Sequence, residues 1–110
     1  MSILDRVKAH SDPTKVRTVE VPEWGDDSGP LVIHYTMVTL KELGETRSTS
    51  TDPFRQNAEI ICMKACGADG KPLFRRIDAL DLMENAAPEV VMRIADAMTR
   101  RLSADEAKNA

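Results

Sequence analysis

Aromatic side chains are scarce in this chain: Trp24, Tyr35, Phe54 and Phe74 are the only four among 110 residues. One domain with so few needs them inside, and its core must otherwise be aliphatic. Cysteine is scarcer still. Cys62 and Cys66 are the only two, spaced one turn apart on a predicted helix. That spacing suits two buried or half-buried thiols better than a disulfide, and it points to a reducing cytoplasm. Five scattered glycines build no phosphate-cradling loop. A net charge of −3 supplies no strong field for gathering phosphate backbones. The longest apolar run, Pro30 to Ile33, is too short to cross a bilayer. "MSILDRVKAHSD" has neither an apolar h-region nor a cleavage site, so no signal peptide is expected.

What is present is ordinary globular composition, 42% hydrophobic with 30% charged residues. A chain of this length makes a single domain, 1–110, that buries roughly two thirds of its unfolded surface without disulfide or metal staples.

Ser2 and Asp5 mark a short helix to about His10, ended by Pro13, so residues 1–14 form a helical leader that docks or frays. "KVRTVEVP" and "LVIHYTMV" are predicted strands, making a β-hairpin over residues 15–38 with "EWGDDSGP" as its polar loop. Alternation puts Leu31, Ile33, Tyr35 and Met37 on one face. Residues 39–102 are predicted to be helical. Thr39 and Glu42 form a capping box; that helix stops at Gly44 or a turn later, and "ETRSTST" is a polar linker. Asp52 and Pro53 open the clearest helix, with Phe54, Ala58, Ile61, Cys62 and Ala65 on its apolar face and Gly67 as a left-handed C-cap. "RIDALDLMEN" is a two-turn helix with Ile77, Leu80 and Met83 inward. Pro88 starts the last helix, capped near Asn85 or Ala87, whose stripe is Val91, Ile94, Met98 and Leu102; residues 103–110 fray. The expected fold is therefore α+β, an N-terminal β-hairpin packed on a mostly helical domain of about four helices.

Chemistry-bearing clusters are thin. Around Gly70, Lys71, Pro72 and Leu73 stand where calcium ligands belong. Asp78 and Asp81 sit where a helix dipole favours acids. His10, His34, Cys62 and Cys66 match zinc in number only, since the histidines lie on unrelated elements. No catalytic residue, metal or cofactor is expected. Trp24 either closes the end of the core or is left for a partner.

The ordered combination carries more than any residue. "VEVPEWG", the strand "LVIHYTMVTLKEL" running into a helix, "DGKPLF", and "IDALDLMENAAPEVVMRIADAMTRRL" together resemble the tail assembly chaperones of long-tailed bacteriophages, from about Val19 to Leu102. The resemblance implies a non-enzymatic protein of the host bacterial cytoplasm, of phage, prophage or gene transfer agent origin. Such a protein binds the tape measure protein, helps recruit tail tube subunits and is absent from the mature virion. In many phages a ribosomal frameshift extends some copies, and this chain corresponds to the short form.

A chaperone for a helical client needs adaptable apolar surface framed by charge. Trp24, Phe74 and Met92 are the candidate protein-binding residues, with Met92 falling beside the last helix's stripe. Methionines 37, 63, 83 and 98 are further contributors, Met63 and Met98 fitting the core better. Many copies along one client require self-association or close packing. The competing reading is a small regulatory or antitoxin-like adaptor, which predicts a basic strip from Arg75-Arg76 and Arg100-Arg101. A small enzyme would need a polar pocket with converging titratable groups.

Overall fold

The computed structural model describes residues 2–99. Seven elements follow in order: α1 (Ile3–Ser11), β1 (Arg17–Asp26), β2 (Gly29–Tyr35), α2 (Leu40–Thr49), α3 (Pro53–Lys64), α4 (Asp78–Asn85) and α5 (Pro88–Thr99). The fold is α+β, a two-stranded antiparallel hairpin on a mostly helical body. Leu102 and the fraying expected for 103–110 lie outside the described residues.

Local signals set most helix starts. Ser2 with Asp5, and Thr39 with Glu42, form reciprocal capping boxes at α1 and α2. The Asp52 carboxylate accepts from the Phe54 N–H at 2.9 Å, with Pro53 at the first helical position of α3. The core lies where the hairpin crosses α3 and α5: Val21 and Ile33 meet Ile60, Ile61, Val90, Ile94 and Met98. Burying each such aliphatic side chain stabilises the fold by about 1.5–3 kcal/mol. Tyr35 joins them, its hydroxyl donating to the Ala97 carbonyl at 3.1 Å. The alternation of Leu31, Ile33 and Tyr35 toward the core is as expected, although β2 stops at Tyr35, short of Met37.

The hairpin differs from its expected form. β1 runs on through Trp24 to Asp26, so "EWGDDSGP" is not a long loop; Asp27 and Ser28 alone make the turn. Pairing is regular from Arg17↔Tyr35 to Val21↔Leu31, then four residues, 22–25, face Pro30 alone before Asp26 pairs with Gly29. Pro22 and Pro30 have no N–H to give the ladder, which is why it bulges there. The free edge of β2 is covered in turn: the N–H groups of His34 and Cys66 each donate to the other's carbonyl at 2.8 Å.

Cys66 is thus not helical, as its spacing from Cys62 suggested. α3 ends at Lys64, and extended Ala65 leads into the bridge, so Gly67 is no left-handed cap. The positive φ needed nearby is at Gly70 (83°), in a turn where Asp69 accepts from the Lys71 N–H.

α2 continues past Gly44 to Thr49, where a polar linker was expected. Thr46 is wholly buried, its hydroxyl donating back to the Leu43 carbonyl, and Thr49 reaches Glu59 on α3 at 2.6 Å. Tertiary partners override poor local propensity. The same contact explains why Glu59, which is not among the residues of the predicted apolar face of α3, is buried: Thr49 and the Arg55 guanidinium (3.2 Å) satisfy its carboxylate. At the other end of this helix pair, Lys64 holds both Glu42 oxygens at 3.0 Å. Burial opposes ionisation of Glu42, but the Thr39 N–H and the Lys64 ammonium outweigh it and keep its carboxyl below the usual range.

One ion pair ties the hairpin to α5: the Arg93 guanidinium clasps the Glu23 carboxylate at 2.6 and 2.8 Å. These hydrogen bonds draw the Glu23 pKa down to about 2. A depressed carboxylate stabilises the fold above its unfolded pKa, near 4.3. That contribution fades as pH falls toward about 2. Titration of the Glu23 carboxyl by NMR is expected to show the low midpoint in the native protein and a return toward the ordinary range in Arg93→Gln.

Candidate functional site

α3, α4 and α5 do not close on one another completely. Ala58 and Cys62 from α3 and Ala79 from α4 form a second, smaller core of thin side chains. Beside it, where Ala58 and Ala86 fill little space, the three helices leave an open groove of about 380 Å³. Phe54 and Ala58 line one wall, Leu82 and Met83 the second, and Val91 and Met92 the third. Phe54 is 58% exposed, Met92 43% and Met83 40%, a concentration of solvent-facing apolar surface around one concavity.

Two sequence expectations change here. Phe54 was assigned inward, but it stands exposed at the first turn of α3 and lines the groove. α4 is rotated from its expected setting. Ala79 is buried and Leu82 half-buried, while Ile77 and Leu80 face solvent with Met83, each three residues from the next. The reason is upstream: the Arg75 N–H donates to the Asp78 carboxylate at 2.8 Å, locking the turn that aims the helix. This hydrogen bond, followed by the Arg75 charge, lowers the Asp78 pKa. Asp78 therefore holds a turn, consistent with a structural acid at the helix start.

The sequence-predicted binding residues separate into two groups. Met92 lies on the groove. Trp24 and Phe74 meet each other edge to face, ring centroids 6.2 Å apart, half-buried against the main core. They close the end of the hairpin where the bulge brings Trp24 over the 65–74 segment. Among the methionines, Met98 is buried and Met37 and Met63 are half-buried. Arg75, one half of the first basic doublet, is engaged by Asp78. Arg100-Arg101, the second, lies outside the described residues.

A second concavity is more polar. The bridge between β2 and residue 66 sets His34 and Cys66 opposite each other at the edge of a shallow hollow of about 330 Å³, with Lys64 beside them. Sequence spacing placed these residues on unrelated elements; only the β2–Cys66 pairing unites them. A thiol and an imidazole fall two ligands short of a tetrahedral zinc site. Among the described residues no group of three or more His, Cys, Asp or Glu side chains could hold a metal ion. Cys62 is sealed in the smaller core, where burial and the Asp78 carboxylate push its pKa up to about 11, so its thiol stays protonated at neutral pH.

Among the described residues no helix is long and apolar enough to cross a membrane. No protein-family model, curated protein or solved structure matches the chain.

Proposed function

We propose that this protein is a non-enzymatic tail assembly chaperone of a long-tailed phage, a prophage or a gene transfer agent, and that its α3–α4–α5 groove binds a helix of the tape measure protein. The observation that carries the reading is the groove itself: Phe54, Met83 and Met92 exposed around an apolar hollow. The ordered sequence pattern from "VEVPEWG" to "APEVVMRI" supplies the client.

The chemistry suits a long, repetitive helical client. An amphipathic helix lays apolar residues into such a groove at i, i+3 and i+4, and methionine side chains adjust to whichever residue arrives. Glu84 and Glu89, both exposed, keep the loaded complex soluble. The protein acts in the host bacterial cytoplasm before the tail is finished, recruits tail tube subunits to the coated client, and leaves before the virion matures.

Co-expression with the tape measure protein of the same phage is expected to raise that protein's soluble fraction severalfold. The double variant Met83→Asp, Met92→Asp is expected to lose this effect while its own stability changes by less than about 1 kcal/mol, since both side chains are substantially exposed. An unchanged soluble fraction with the wild-type chain overturns the assignment.

A further inference from the structure

The first helix poses a problem of its own. α1 is nine residues long and carefully terminated, with a capping box at Ser2 and a left-handed Asp12 closing its other end, yet none of its residues is buried. A helix this short is marginal in water, so its stability depends on a surface to pack against. Ile3, Leu4 and Val7, each more than half exposed, form one apolar stripe. Arg6 and His10 flank the stripe on one side and Lys8 on the other, with Asp5 on the far face.

The groove between α3, α4 and α5 is the complement. It is concave and apolar where α1 is convex and apolar, with room for a few aliphatic side chains. The charge matches on the α5 side: Glu89 and Asp96, three residues before and four after Met92, stand beside that groove residue on the same face of the helix. Arg93 is itself occupied by Glu23, and on α3 Arg55 is occupied by Glu59. An apolar stripe bordered by cations is thus the complement of an apolar groove flanked along α5 by two carboxylates.

We propose that α1 of one copy docks, stripe first, into the α3–α4–α5 groove of a second copy. A second copy is favoured over the helix's own groove by the joint that carries α1. Asp12 holds φ at 41°, the Thr14 hydroxyl donates to its carboxylate at 2.7 Å, and the Lys15 N–H donates to its carbonyl at 3.0 Å. Folding back requires this built turn to be undone, whereas presenting α1 outward does not. The contact joins two different surfaces, so it closes as a reciprocal pair or continues as a chain of copies. The proposal rests on the groove being a helix-docking site and not on the identity of the client. It adds that a client helix has to displace α1 from the groove.

Sedimentation equilibrium of the full chain over a wide concentration range tests this. The wild type is expected to rise above the 12.2 kDa of one chain, with micromolar association typical of a small interface. Leu4→Asp, Val7→Asp and, separately, Met92→Asp are expected to weaken association by about tenfold or more, with circular dichroism and thermal midpoints showing that the body stays folded. An equal mixture of the α1 variant and the groove variant is expected to recover association, because one intact stripe then meets one intact groove. A wild type that stays at one chain's mass, variants that still associate, or a mixture that does not recover each overturns the proposal. Recovery in the mixture, combined with no effect on client solubility, removes the chaperone reading and leaves this one standing.

Discussion

Ile61→Ala is expected to lower the unfolding free energy by about 2–5 kcal/mol, a large part of the roughly 5–15 kcal/mol that holds a domain of this size. Ile61 is wholly buried in the main core, where the hairpin, α3 and α5 meet. Removing its branch leaves a cavity that Ile33 and Ile94, themselves fixed on a strand and a helix, cannot collapse to fill. Ile77→Ala makes the same chemical change at the head of α4, where the side chain is exposed, and is expected to cost less than about 0.5 kcal/mol. Urea unfolding of the two variants checks this directly. Similar losses in both would mean that α4 faces inward through Ile77, as periodicity alone suggests.

The second large effect concerns two glycines. A Cβ added at Gly25 lies 2.8 Å from the Pro30 Cα and closer still to the Gly29 carbonyl oxygen, both rigid backbone atoms of the facing strand. Gly25→Ala must therefore open the end of the hairpin, at a cost of about 1–3 kcal/mol or more. Since Trp24 is adjacent and packs on Phe74, its fluorescence is expected to shift toward that of a solvated indole. Gly44→Ala is expected to act in the opposite direction. Gly44 lies inside α2, a Cβ there meets nothing, and the exchange should stabilise the helix by about 0.5–1 kcal/mol. A thermal scan of the pair separates the two signs. A loss of stability in Gly44→Ala would contradict the continuous α2 seen here.

The contrast between these residues shows which features were legible in the chain. Ser2 with Asp5, Thr39 with Glu42, and Asp52 with Pro53 act within four residues of themselves, and each helix start follows from them. The alternation of Leu31, Ile33 and Tyr35 was legible for the same reason. Three of the failures share an opposite cause. The polar run from Glu45 to Thr49 is helical because Thr49 meets Glu59 ten residues on. Cys66 is extended because His34 lies across from it. Trp24 sits in a strand because two prolines oppose each other in a bulge that no local window reveals. The setting of α4 is a separate case: the Arg75–Asp78 hydrogen bond that sets its approach is local, but it acts on the turn before the helix and leaves no mark on the apolar periodicity.

The candidate site was half legible. Met92 could be read as lying beside its helix's stripe, and Met83 as one of a set of adaptable side chains. Phe54 could not, because a residue in the first turn of a helix obeys the helix's stripe only if another element covers that end. The groove itself follows from Ala58 and Ala86 being too small to fill the space between three helices, a property of packing and not of pattern.

The claim on which the account turns is that helices are gripped by Phe54, Met83 and Met92. Methyl-selective NMR of the methionines, during titration with an amphipathic helical peptide from the tape measure protein, tests it most directly. The account predicts saturable shifts at Met83 and Met92, with Met98, in the main core, unmoved. Shifts confined to Met63, beside the His34–Cys66 hollow, or no saturable shift at all, would contradict it.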